Sequence, residues 1–198
     1  LLEEFETIYM VDFFVFTSVC EKLKEWREKG IQLFPISVNF SSISLREPHF
    51  VEHISDICHT YDISPKYLEI EVTERVHNEE CLSLMELSSK LHKAGFKVAI
   101  DDFGTEYANL SLLSEVEYDV LKLDKSMIDN IATNEKSRAI VGSIAEVCGR
   151  MGIEMVAEGI ETEEQFLILK KFGVELIQGY LFSRPIPMDE YERLYLDN

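Results

Sequence analysis

The feature that most constrains the fold is an alternation of short apolar runs with longer amphipathic stretches. The runs have the length of β-strands, and the stretches between them have the 3.6-residue period of helices. Strands that alternate with helices form parallel β/α units, so the sequence predicts one α/β domain over residues 1–198. The predicted strands are Leu33–Asn39, Tyr67–Thr73, Lys97–Asp101, Val120–Asp124, Glu154–Glu158 and Leu176–Tyr180.

Helices are marked by apolar stripes and by stop signals. In the predicted helix Asp12–Lys29, the stripe is formed by Val15, Val19, Leu23 and Trp26, and Gly30 ends the helix. Further helices are predicted over Leu82–His92 and Ser137–Met151, and Thr162 with Gln165 predicts a capping box. A closed barrel of such units takes about eight strands. We therefore expect about two more strands before Leu1.

The charge and the cysteine content of the chain limit the kinds of ligand and the cellular compartment that fit it. The net charge of −18 argues against binding of DNA or RNA polymers, which depends on many Lys and Arg side chains. A ligand that carries phosphate would need divalent cations as intermediaries. The four cysteines have no metal-site or disulfide spacing, and no apolar run is long enough to span a bilayer. Both observations favour a domain with reduced thiols in the cytoplasm, although a longer protein could be tethered to a membrane.

Polar residues interrupt the apolar strands at or near their carboxyl ends. In a barrel of parallel strands these ends meet on the catalytic face. Any single one of them is more often a helix cap or a surface ion pair, but six together favour a site. The six residues are Asn39, Glu71, Asp101, Lys122, Glu158 and Gln178.

The predicted site is rich in oxygen donors. Clustered carboxylates need compensating cations, and carboxylate and amide oxygens suit Mg²⁺ or Mn²⁺ better than zinc. Asp101 and Asp102 would point to opposite faces of a regular strand, but a turn at the strand end lets one bridge two metals while the other binds one. Two roles are open for Lys122. In the structural one, it pairs with Asp124 or neutralises the acidic cluster. In the functional one, it orients a water or helps to deprotonate it.

Six blocks of the sequence resemble, in order and spacing, the signature segments of EAL domains. The resemblance covers essentially the whole chain. It implies a modified (β/α)8 barrel of the TIM type with one antiparallel strand, and it implies metal-dependent hydrolysis of cyclic-di-GMP to linear pGpG. The blocks are Ser37–Ser41, Glu71–Glu74, Asp101–Thr105, Leu121–Asp124, Ala157–Glu161 and Gln178–Tyr180.

The resemblance also implies a role for each matching residue. Lys122 is similar to the lysine that activates water, and Glu158 to a carboxylate of the metal site. Gln178 resembles the residue at the far wall of the site, Glu74 resembles one that steadies the loop after Asp102, and Glu161 matches a less central glutamate. The implied ligands of the two metal ions are Asn39, Glu71, Asp101, Asp102 and Glu158, with Asp101 in the bridging place.

Two departures from the family pattern leave an alternative open. The Glu-Ala-Leu block that supplies the first metal ligand would lie before Leu1, and Glu106 stands where family members usually have Gly. A glutamate at a position that needs positive φ costs about 1 kcal/mol or more. The alternative is therefore a non-catalytic cyclic-di-GMP receptor that signals to a partner domain. The expected partners are cyclic-di-GMP, an upstream sensor or GGDEF domain, and a second copy of the chain in a homodimer.

Overall fold

The structure, a computed structural model, describes residues 7–73, 81–105 and 114–196, apart from the side chains of residues 81 and 82. Its contacts divide the chain into two compact units. The first unit extends to Phe103 and includes residues 114–120, and the second comprises Gly104, Thr105 and the chain from Leu121 onward. Both units alternate strands with helices, as the sequence predicts.

The first unit contains three strands. Its elements are α1 (Ile8–Glu28), β1 (Ile36–Asn39), α2 (Ser42–Leu45), α3 (Phe50–Tyr61), a 3₁₀ turn (Pro65–Tyr67), β2 (Leu68–Thr73), α4 (Cys81–Ala94) and β3 (Lys97–Phe103).

The second unit continues the alternation. Its elements are β4 (Val120–Leu123, of which Val120 belongs to the first unit), α5 (Lys125–Ile128), α6 (Glu135–Met151), β5 (Glu154–Ala157), α7 (Glu163–Lys171), β6 (Leu176–Ile177), α8 (Met188–Tyr191) and a π-helical turn (Glu192–Leu196).

Helix α1 buries only the second half of its predicted stripe. Leu23 and Trp26 are buried as predicted, but Val15 is 43% exposed, so the first half of the stripe is wrong. The row that contains Val15 and the row that contains Phe16 are both largely apolar. The second row is the buried one, but it begins with the acidic Asp12, which makes it look like an exposed row in the sequence. The buried residues are Asp12, Phe16, Cys20, Leu23 and Trp26.

Strands β1, β2 and β3 are adjacent and parallel. The middle strand, β2, is buried along its length except at Thr73, so the two glutamates within it, Glu69 and Glu71, are buried as well. Strand β1 starts later than predicted, because Pro35 has no N–H to donate to a sheet ladder and Phe34 is 58% exposed.

The strands of the second unit follow in the order β4, β5, β6. Strands β5 and β6 are parallel, with Ala157 opposite Ile177. Helix α7 begins at the predicted capping box: the Thr162 hydroxyl accepts the N–H of Gln165, and the Gln165 side chain accepts the N–H of Thr162. The predicted strand Leu176–Tyr180 is shorter in the structure, since only Leu176 and Ile177 have strand pairing.

Three cysteines, Cys20, Cys58 and Cys148, are free and buried, as expected for reduced thiols in a core. Burial raises the pKa of the Cys148 thiol, which keeps that group protonated and unreactive. The side chain of Cys81 lies outside the described part of the chain. Among the helices that the structure describes, none combines the length and the apolar character needed to cross a membrane.

Candidate functional site

The register of the first unit brings three polar residues to one face of its sheet. Asn39 of β1 lies opposite Glu71 of β2, and Glu71 lies opposite Ala99 of β3. Residues two apart on a strand point to the same face, so Asp101 shares the face of Ala99. Asn39, Glu71 and Asp101 therefore project from one face, near the carboxyl ends of three neighbouring strands.

The carboxylates of this group are withdrawn from water, whereas the amide is not. Glu71 is 3% exposed and Asp101 is 9% exposed, while Asn39 at the end of β1 is exposed. A buried carboxylate is unfavourable unless cations or hydrogen bonds stabilise its charge. This part of the sheet is therefore suited to receive positive charge.

The backbone turns at Asp102. Its φ is +57°, a left-handed conformation that few residues other than glycine adopt and that Asp tolerates better than most. Asp102 therefore departs from the extended backbone of a regular strand, although β3 continues to Phe103. Backbone strain of this kind is concentrated at functional sites.

The donor types of this group fit Mg²⁺ or Mn²⁺. Three carboxylates and one amide supply the oxygen ligands that these hard cations prefer. In the ranges 7–73, 81–105 and 114–196, no three Asp, Glu, His or Cys residues are grouped as a metal-binding cluster. The fit therefore rests on donor chemistry and on the shared face, and the ligand roles of Asn39, Glu71, Asp101 and Asp102 stay predictions.

The second unit contributes a lysine and a carboxylate in contact. The N–H of Glu158 donates to the carbonyl of Leu123, which fixes Glu158 directly after β5 and next to the end of β4. The Lys122 Nζ atom lies 2.9 Å from Glu158 Oε1, and the two side chains are 9% and 18% exposed. The Glu158 Oε1 atom is itself buried, so this ion pair is shielded from water. Such a pair can hold a charged lysine at a fixed position in a site of low dielectric.

The loop after Glu158 is fixed at both ends. Gly159 has φ +68°, and a Cβ atom there would lie 2.5 Å from the Lys125 side chain. The Lys125 Nζ atom lies 2.7 Å from Glu161 Oε1, and the hydrogen bonds to Glu161 and then to Asp129 raise the pKa of Lys125. Gln165 Oε1 accepts the N–H of Glu161. Glu161 is thus tied to the loop backbone and to Lys125.

Gln178 is placed by its backbone. Its N–H donates to the carbonyl of Ala157, and its own carbonyl accepts the N–H of Ile160. The next residue, Gly179, approaches Ile160 so closely that a Cβ atom would lie 2.2 Å from the Ile160 carbonyl oxygen. Only glycine fits at this position, which explains why a glycine follows Gln178 in the sequence. The guanidinium of Arg184, to which the sequence assigns no role, lies 4.2 Å from the centre of the Tyr180 ring.

Two residues singled out from the sequence, Glu74 and Glu106, lie outside the described residues. Conversely, the structure reveals a polar residue that sequence reasoning passed over, Asp12 of α1. It is 9% exposed and accepts hydrogen bonds from the segment that follows Asn39. Its signal in the sequence was a single acid within a strongly apolar and aromatic stretch.

The chain is similar to curated bacterial signalling proteins. It is 34% identical over 190 residues to the oxygen sensor protein DosP of Escherichia coli, and this alignment covers 96% of this chain and 24% of DosP. It is 37% identical over 177 residues to the cyclic di-GMP phosphodiesterase PdeB of Shewanella oneidensis, covering 88% of this chain and 21% of that protein. The chain thus spans about a quarter of the length of these relatives.

A solved structure described as the PaMucR phosphodiesterase in complex with c-di-GMP matches with a TM-score of 0.88 at 28% identity, over 96% of this chain and 77% of that one. This match confirms the α/β fold class predicted from the sequence. The family model for the EAL domain matches residues 1–185. The chain belongs to the EAL domain family.

Proposed function

We propose that this domain hydrolyses cyclic-di-GMP to linear pGpG with the help of two Mg²⁺ or Mn²⁺ ions. The observation that carries the proposal is the strand register that places Asn39, Glu71 and Asp101 on one face. The names of PdeB and PaMucR as phosphodiesterases support the choice of substrate.

The residues that would hold the metal ions are Asn39, Glu71, Asp101, Asp102 and Glu158. When bound, the metal ions would supply Lewis-acid activation of water and neutralise charge on the phosphodiester. The turned backbone at Asp102 allows the two adjacent aspartates to take different roles.

The protein's own groups handle the water and its proton. Lys122 orients the attacking water through its ammonium group, which Glu158 holds in place at 2.9 Å. The water oxygen forms a bond to phosphorus and releases a proton to solvent, the bond from phosphorus to the 3′-oxygen breaks, and the 3′-oxygen takes up a proton from solvent, so that one water is consumed. Glu161 and Glu74 steady the neighbouring loops, and Gln178 lines the far wall.

The metal requirement also reconciles the charge of the protein with that of its substrate. A chain with a net charge of −18 repels a cyclic dinucleotide that carries two phosphodiesters. Divalent cations held by buried carboxylates invert that local field. Binding of the substrate should therefore weaken when the ions are removed.

A second candidate function, a non-catalytic cyclic-di-GMP receptor, is favoured by Glu106 at a position where the family usually has Gly. In either case, the resemblance to DosP, which is named an oxygen sensor, supports coupling to a sensor domain or a GGDEF domain elsewhere in the protein. Homodimerisation belongs to the same proposal.

Turnover in defined metals separates the two candidates. We expect pGpG to form with Mg²⁺ or Mn²⁺, and we expect Ca²⁺ to inhibit because its larger and looser coordination shell spoils the geometry of two adjacent ions. Chromatographic separation of pGpG from cyclic-di-GMP measures the reaction. Undiminished turnover in excess EDTA would contradict the metal requirement, and tight binding without turnover in Mn²⁺ would establish the receptor.

A further inference from the structure

A buried carboxylate in α1 has no part in the proposed reaction. Asp12 is 9% exposed and lies in a stretch of α1 that is otherwise mainly aromatic and aliphatic. Its Oδ2 atom accepts the backbone N–H of Ser41 at 2.9 Å and the hydroxyl of Ser44 at 2.7 Å. Hydrogen bonds to a charged acceptor are about twice as strong as neutral ones. Asp12 therefore holds the segment 41–44 firmly against α1.

That segment continues directly from the end of β1. Ser41 is the N-cap of α2, and its hydroxyl accepts the N–H of Ser44 at 3.3 Å. Asp12 thus contacts both the N-cap residue of α2 and a residue within its single turn. Asn39 lies two residues before Ser41 and is exposed. Its position therefore depends on how the backbone after it is held.

Aromatic packing anchors the residue between them. Phe40 is 3% exposed, and its ring makes an edge contact with Phe50 of α3 at 4.8 Å between centroids. It also contacts Phe13 and Phe16 of α1 at 5.9 Å and 5.7 Å. The two residues that follow Asn39 are therefore both fixed: Phe40 by aromatic packing and Ser41 by its hydrogen bond to Asp12.

We propose that Asp12 is a positioning residue for Asn39, acting through Ser41. The inference rests on the proposed function, in which Asn39 binds a metal ion. A neutral amide is a weak ligand, and a productive metal distance is confined to about 0.2 Å, so small backbone shifts at the end of β1 weaken its contribution. Supporting contacts of metal ligands typically change metal affinity by about 10–100-fold.

The first test needs no metal. Hydrogen exchange of the peptide over residues 39–45 is compared for the wild type, Asp12→Ala and Glu21→Ala, a variant of an exposed acid on the same helix. We expect faster exchange in this peptide for Asp12→Ala alone. Asp12→Asn should restore protection in part, since its amide oxygen can accept the same two hydrogen bonds. Unchanged exchange in Asp12→Ala would overturn the inference.

The second test is a double-mutant cycle on Mn²⁺ affinity, measured from the electron paramagnetic resonance signal of free Mn²⁺ without substrate. Asp12→Ala should weaken Mn²⁺ binding by about 10-fold in the wild type, but by less than about 2-fold in the Asn39→Ala background. Melting temperatures of the same variants report any general loss of stability, which should be similar in both backgrounds.

The outcomes separate the inference from the proposed function on which it rests. If Asp101→Asn weakens Mn²⁺ binding but Asp12→Ala acts equally with and without Asn39, the metal site stands and the positioning role is wrong. If Asp101→Asn also leaves Mn²⁺ affinity unchanged, both the metal site and the inference fail.

Discussion

The strand ends of the two units offer different chemistry. Those of the first unit carry three carboxylates, Glu71, Asp101 and Asp102, together with the amide of Asn39. Those of the second unit carry a lysine and a glutamate in contact, Lys122 and Glu158, whose charges compensate each other. The first region is suited to hold cations, and the second is suited to hold a charged group in a fixed position. We therefore propose a division of labour in which the first region supplies most of the metal ligands, with Glu158 as an additional one, and Lys122 of the second region acts on the water.

The largest effect should come from the carboxylate-rich region. Asp101→Asn removes a charge from a proposed metal ligand, and we expect hydrolysis of cyclic-di-GMP to fall by at least about 10³-fold. The fold should survive, because Asn has nearly the same volume as Asp. Initial rates with Mn²⁺ and circular dichroism of the same sample measure both properties. A variant that keeps near-normal activity would show that the metal centre is assigned to the wrong residue.

The next effect should come from the charge-compensated pair. Lys122→Met retains much of the buried volume but removes the ammonium group, and we expect the turnover rate to fall by about 10²-fold or more. The KM for cyclic-di-GMP should change much less, since Lys122 is proposed to act on the water. A large rise in KM with the turnover rate preserved would instead make Lys122 a binding residue.

A backbone change tests whether the second region depends on close packing. Gly179→Ala places a methyl group where 2.2 Å separates it from the Ile160 carbonyl, so we expect a loss of roughly 1–3 kcal/mol in the free energy of unfolding. Gly149→Ala in α6 is the matched control, because nothing lies within 4 Å of its added Cβ, and it should be neutral or stabilising. Denaturant unfolding of both variants measures the difference. Equal effects would remove the packing argument for the Gln178 block.

The smallest effect is expected at Glu161. Its ion pair with Lys125 is about half exposed, and solvent screens exposed pairs so that they contribute little. Glu161→Gln should therefore lower the ratio kcat/KM by less than about 5-fold. Glu146→Gln, which breaks an exposed pair with Arg150 on α6, should have no effect on that ratio. A loss above about 100-fold in Glu161→Gln would place Glu161 in the reaction itself.

The sequence patterns predicted which strands exist better than they predicted strand bounds and buried faces. All six predicted strands exist, because strand-length apolar runs between helices are a strong signal. Asn39, Glu71 and Asp101 share a face because of the register between their strands. Register cannot be read from the alternation of residues along a single strand. Helices α2 and α3 were not predicted as elements, since α2 is a single turn whose capping by Ser41 and Asp12 is a tertiary effect.

The buried stripe of α1 and the turn at Asp102 show why the rest could not be predicted. A pattern based on hydrophobicity penalises Asp12, although Ser41 and Ser44 satisfy its carboxylate in the folded chain. A positive φ at a residue other than glycine costs free energy locally, so local propensities do not select Asp102 for it. The burial of Asp12 is stabilised by contacts that are distant in sequence, which a local pattern does not contain.

The most direct test of the division of labour is a count of bound Mn²⁺ ions by isothermal titration calorimetry, with hydrolysis measured on the same samples. The account predicts two Mn²⁺ ions per domain in the wild type and in Lys122→Met, with hydrolysis lost only in the latter. Asp101→Asn should lose both Mn²⁺ binding and hydrolysis. Equal loss of Mn²⁺ in Lys122→Met and Asp101→Asn, or full Mn²⁺ binding in Asp101→Asn, would contradict it.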